Sequence, residues 1–176
     1  MRIRWKGVPT VLFGDELLDK GFTRGRAAAD RVNESNRIFR VRKQMSRMVQ
    51  TSSDTIAEYL LEVVSTWPSL DRMPDFDQSM IEAAVGTDMY RKNLASLQWA
   101  ASQIRVIASQ NVKKIIRTAN VEFMHTCRRE AYGRISSIVD QVGKGLTWLN
   151  ESREVLKVLP TIHSNEPCVV ITGSPN

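Results

Sequence analysis

Apolar residues return every three or four positions along most of this chain, the spacing that lines one face of an α-helix. One run predicts a long helix from Glu34 to Thr66, with Ile38, Val41, Met45, Met48, Ile56, Tyr59 and Val63 on its stripe. Pro68 cannot continue it, so Trp67-Pro68-Ser69-Leu70-Asp71 reads as the turn that ends it. A second run opens at Asp88 and carries Leu94, Leu97, Ala101, Ile104, Ala108, Val112 and Ile115, with a break expected between Arg117 and Asn120. The third carries Met124, Ala131, Ile135, Ile138, Val142, Leu149 and Leu156 and ends at Pro160; Gly143 and Gly145 inside it predict a bend or an interruption. Two shorter helices complete the pattern. Asp15 is placed to cap one that contains Leu17, Leu18 and Phe22 and is weakened by Gly21 and Gly25; Asp75 is placed to cap another that runs through Ala84 and closes at Gly86. Ahead of them, Trp5 to Val11 reads as extended, because Pro9 disfavours helix at Val8.

Long helices with apolar stripes must bury those stripes against one another, so the expected class is all-α, an antiparallel bundle of long helices over residues 1–160. The pattern changes after Pro160. Residues 161–166 are polar and read as a linker. Pro167-Cys168-Val169-Val170-Ile171-Thr172-Gly173 is then a short, continuous apolar run rich in β-branched residues, the signature of a buried parallel strand. Residues 167–176 therefore read as the first strand and loop of a second domain.

Composition agrees with a packed helical chain: 42% of the residues are hydrophobic and only 7% aromatic. Lysine and arginine outnumber aspartate and glutamate by 25 to 19. The excess concentrates between Arg24 and Met48, where Arg24, Arg26, Arg31, Arg37, Arg40, Arg42, Lys43 and Arg47 face only Asp30 and Glu34. Arg40, Lys43 and Arg47 fall on one helical face, spaced to meet successive phosphates. Lys113, Lys114 and Arg117 form a second cluster, and Arg128, Arg129 and Arg134 a third. Each of these is equally consistent with a solvated helix face. Trp5, Trp67, Trp99 and Trp148 could stack on bases, but Trp99 and Trp148 lie beside the apolar seams and are expected to pack there. Cys127 and Cys168 share no ligand spacing, nor do His125 and His163, so no metal site, no disulfide scaffold and no catalytic group is expected. No stretch has the length of a membrane span and no signal peptide is visible, which points to the cytoplasm.

The end of the chain adds a motif fragment. A strand followed by Gly173-Ser174-Pro175-Asn176 matches the first four positions of a phosphate-binding loop, whose glycines let backbone amides turn inward onto phosphates. Gly-x-Pro-Asn resembles the loop opening of Obg-like GTPases. The rest of the chain resembles their Nog-type (nucleolar GTP-binding protein) branch along almost its whole length. The residues that carry the resemblance are Val8-Pro9-Thr10 with Asp15 to Lys20, Trp67 to Asp71, Asp88 with Tyr90, Leu94 to Ala100, Arg129 to Ile135, Leu146 to Leu149, Glu154 to Pro160, and Glu166-Pro167 with the strand. Its first segment looks more archaeal than eukaryotic.

The resemblance implies a helical N-terminal domain that docks on the large ribosomal subunit or its rRNA, ahead of a GTPase domain that uses GTP and Mg. Ribosomal proteins are further partners under this reading, the chain is expected to act as a monomer, and no membrane is involved. The loop lysine and serine or threonine do not follow Asn176, so the sequence as given is expected to lack cofactors and not to hydrolyse GTP. Arg37, Arg40, Arg42, Lys43 and Arg47, with Lys113, Lys114 and Arg117, are the RNA-contact candidates. A fragment of a complete GTPase and a helical adaptor for protein partners stand as alternatives.

Overall fold

A computed structural model describes residues 5–159 and Gly173. The expected linker and strand therefore lie outside the described residues, Gly173 apart, which belongs to no helix or strand. A turn of 3-10 helix over Trp5–Gly7 leads into extended chain. Five α-helices follow: α1 (Gly14–Asp30), α2 (Arg37–Thr66), α3 (Asp75–Val85), α4 (Thr87–Arg117) and α5 (Val121–Lys157). A second 3-10 turn, Leu70–Arg72, lies between α2 and α3, and there is no strand among the described residues.

The helix starts are set by polar groups that satisfy the free amides of each first turn. Asn36 Oδ1 accepts from the Ile38 and Phe39 amides at the head of α2, and Asn120 Oδ1 accepts from the Phe123 amide at the head of α5. Helix α2 thus begins at Arg37 and not at Glu34, which sits before the cap and pairs with Lys43 at 2.7 Å. Asp15 is likewise not the cap of α1. The chain stays extended through Phe13 because the Val11 amide donates to Asn150 and the Leu12 amide to the Tyr59 hydroxyl. The Glu16 carboxylate then reaches back to the Phe13 amide at 2.9 Å, and Asp15 falls in the first turn. Asp75 is similarly the first helical residue of α3, after Pro74. Gly86 reverses the chain between α3 and α4 at φ +81°, a region that glycine enters without penalty.

The long helices pack antiparallel, α1 on α2, α2 on α4 and α4 on α5. The Arg42 side chain near the start of α2 reaches the Thr118 carbonyl after α4, and Tyr90 at the start of α4 donates to the Pro68 carbonyl after α2. The predicted stripes form the core: Met45, Ile56 and Val63 of α2, Leu97, Ala101, Ile104, Ala108 and Ile115 of α4, and Met124, Ala131, Ile135, Val142, Leu149 and Leu156 of α5 are all buried. Val41, Met48, Tyr59, Leu94, Val112 and Ile138 are half-buried against that core, and Ile38 is exposed at the tip of α2. Trp5, Trp67 and Tyr90 make a mutual edge-to-face cluster at the other end of the bundle.

The glycines expected to weaken helices instead let helices approach. Helix α1 runs unbroken through Gly21 and Gly25, where a methyl group would lie 2.5 Å from the Ile56 side chain and 2.7 Å from the Met48 carbonyl oxygen respectively. Helix α5 runs unbroken through Gly143 and Gly145 and meets Asn93 of α4 at the second.

Candidate nucleic-acid interface

The bundle gathers the basic clusters that are separate in the sequence. Gly25 of α1, Met48 of α2 and Tyr132 of α5 meet at one level: Tyr132 Oη is 2.9 Å from Ser52 Oγ and stacks on Phe22. Beyond that level, towards the α1–α2 and α4–α5 connections, lie the last turns of α1 and α4 and the first turns of α2 and α5. The two segments that build this end, Arg24–Met48 and Lys113–Arg134, hold fourteen of the chain's 25 basic residues and four of its 19 acids. Their formal charge is therefore +10, whereas the other described residues, 5–23, 49–112 and 135–159, hold nine basic residues and fourteen acids and carry −5. An end-to-end asymmetry of this size orients the molecule in the field of a polyanion.

The cations there do not all do the same work. Arg24, Arg26, Arg31, Arg37, Arg40, Arg47, Lys113 and Arg117 are exposed and make no ion pair among the described residues. Arg40 touches the Glu34 carbonyl with one Nη at 3.2 Å and keeps the rest of its fork outward. Lys43 is held by Glu34, whose carboxyl is kept below the usual carboxylate range by that hydrogen bond and charge. Lys114 is held by Glu130 at 3.2 Å. Arg42, half-buried, donates through Nη2 to the Thr118 carbonyl at 2.8 Å and lies 5.2 Å from the Phe39 ring centre. It acts as a strut between α2 and the α4–α5 connection. Arg128 covers the Tyr132 ring in a comparable way.

Among the described residues no group of three or more His, Cys, Asp or Glu side chains is arranged to hold a metal ion. Cys127 is buried and free, with its thiol pushed up by that burial. Gly173 is the one residue of the expected phosphate loop that is described.

With this helical frame, the model of the NOG1 N-terminal helical domain matches residues 5–163 of the chain. The chain belongs to that family. It is 30% identical over 174 residues to an uncharacterized protein of Methanocaldococcus jannaschii, covering 98% of this chain and 49% of that protein. It is 24% identical over 177 residues to nucleolar GTP-binding protein 1 of Saccharomyces cerevisiae, covering all of this chain and 27% of the relative. The protein of the same name in Arabidopsis thaliana is 23% identical over 178 residues, with 26% of its length covered. The chain thus spans half or less of the length of these relatives and corresponds to the family's N-terminal helical domain.

The clusters at 37–47 and 113–117 were visible, but their union at one end was not, because it depends on the antiparallel return of α4 beside α2. Trp99 was expected to pack and is 46% exposed instead, since the α4 seam is filled by Leu97, Ala100, Ala101 and Ile104 on another face. Trp148 does pack half-buried against the core. The exposed apolar residues of the basic end, Phe39, Ile116 and Phe123, were missed; their signal is that all three fall off the apolar stripe of their own helix.

Proposed function

We propose that this domain docks on the RNA of the large ribosomal subunit through its basic end, and so positions the GTPase domain expected to follow it in the whole protein. The observation that carries the reading is the +10 charge collected at one end of a bundle whose other described residues carry −5. Cations fixed on the ends of four long helices neutralise several phosphates at once and release their counterions, at little cost in ordering because the frame is already rigid. The name of the Saccharomyces cerevisiae relative, nucleolar GTP-binding protein 1, supports a role beside ribosomal RNA and the reading that GTP belongs to the whole protein. No residue of the bundle has a chemical role in this proposal; its part is to bind and to orient. On this reading the protein acts at the assembling subunit without a membrane, and no helix among the described residues is long and apolar enough to cross one.

Co-sedimentation with purified large ribosomal subunits tests it. The triple variant Arg40→Glu, Arg47→Glu and Arg117→Glu reverses three exposed cations from two helices. It is expected to weaken binding at least tenfold while leaving the helical circular dichroism unchanged. Unchanged affinity in a folded variant would assign docking to another surface.

A further inference from the structure

The positive end also exposes apolar side chains. Ile38 and Phe39 in the first turn of α2, Ile116 in the last turn of α4 and Phe123 in the first turn of α5 are 38%, 50%, 54% and 45% exposed. Their positions are fixed locally: the Asn36 and Asn120 caps hold the amides of Ile38, Phe39 and Phe123, and the Arg42 strut to Thr118 joins the α2 tip to the α4–α5 connection. The Arg42 guanidinium backs the Phe39 ring at 5.2 Å, so this ring is held by a cation while half the residue remains open. Arg37 and Arg40 flank Ile38 and Phe39 in sequence, and Arg117 follows Ile116, all three exposed and without ion pairs among the described residues. A partner that covers these side chains must present flat apolar surface and negative charge together.

We propose that Phe39 and Phe123 form a stacking platform for unpaired RNA bases, whose phosphates the neighbouring arginines hold. The domain therefore selects looped or splayed RNA over uninterrupted duplex. This rests on the RNA-docking reading above and names its substrate class. In an A-form duplex the bases are sealed within their own stack and the patch meets only phosphates and riboses. An unpaired base presents a π-face to the ring, with arginine available to stack or to fork onto phosphate. Eleven of the fourteen cations at this end are arginine, the side chain suited to both contacts.

The test is fluorescence anisotropy of the full chain with two RNAs of equal phosphate number at one salt concentration, a hairpin with a ten-nucleotide purine loop and a blunt duplex. The chain is expected to bind the hairpin about tenfold more tightly. Phe39→Ala with Phe123→Ala is expected to abolish that preference and leave duplex affinity within twofold, whereas Phe39→Trp with Phe123→Trp retains it. Equal affinity of the unaltered chain for both RNAs would overturn the platform and leave docking intact. Equal loss on both RNAs in the alanine variant would also overturn it, by showing that the rings only support the tip. Displacement of the hairpin by an acidic, phenylalanine-bearing peptide at lower concentration than by the free loop RNA would assign the patch to a protein partner instead. Binding to neither RNA would overturn the docking reading and the platform with it.

Discussion

Gly25 shows how much of this fold rests on single atoms. A methyl group there would lie 2.1 Å from Ser52 Oγ, 2.7 Å from the Met48 carbonyl oxygen and 3.0 Å from the Tyr132 hydroxyl. The hydroxyl groups can turn aside, but a helix carbonyl cannot, so α1 and α2 must separate. Gly25→Ala is expected to destabilise the bundle by about 1–3 kcal/mol, the usual cost of overpacking, despite alanine's better helix propensity. Gly133 of α5 has open space around it, and Gly133→Ala is expected to stabilise by about 0.5–1 kcal/mol. Urea denaturation of the two variants checks both signs, and two shifts in the same direction would contradict the packing described. In sequence the two glycines are indistinguishable, each a lone glycine in a helical stretch. What separates them is the partner helix, which no local pattern reveals.

Elements were more legible than their contacts. The stripes of α2, α4 and α5, the stop at Pro68 and the break before Asn120 all follow from spacing and from proline and turn chemistry, because each is a property of one segment. The starts of α1 and α2 lie two residues earlier and three residues later than expected because side chains decide them: Asn150 and Tyr59 hold the lead-in extended to Phe13, and Asn36 caps α2 two residues after Glu34. The junction between α2 and α4 carries a pH dependence. Tyr90 donates to the Pro68 carbonyl and burial raises its phenol above the ordinary value of 10.0; burial likewise raises Tyr59 and Tyr132. A phenol that ionises later in the folded state than in the unfolded one stabilises fully below pH 10 and loses that contribution as the pH rises. Thermal stability is therefore expected to begin falling near pH 9, where the unfolded Cys127 thiol ionises and the buried one does not, and to fall more steeply above about pH 10 as the tyrosines follow. Tyr90→Phe is expected to start lower, by about 1–2 kcal/mol for the orphaned carbonyl, and to fall less steeply. Parallel curves for the two proteins above pH 10 would show that Tyr90 ionises as freely as in water.

At the scale of the whole molecule the decisive property is one that the sequence holds only in pieces. Three basic clusters, each readable as a solvated face, become one end of a dipolar rod once α2 and α4 lie antiparallel. Some candidates are then committed to other contacts: Arg42 to Thr118, Lys43 to Glu34 and Lys114 to Glu130. Arg24 and Arg26 of α1 and Arg31 just after it join the free cations in their place, together with Arg37, Arg40, Arg47, Lys113 and Arg117. The phosphate-loop fragment stands apart, because it lies outside the described residues except for Gly173. The measurement that bears most directly on the domain's role is its affinity for large ribosomal subunits across a salt series. If the basic end docks on RNA, the logarithm of the binding constant falls linearly with the logarithm of salt concentration, with a slope between about −3 and −7 for the free cations available. The slope should become shallower by about two to three in the Arg40→Glu, Arg47→Glu and Arg117→Glu variant. A slope near zero, or tight binding that ignores the charge reversal, would contradict electrostatic docking through this end.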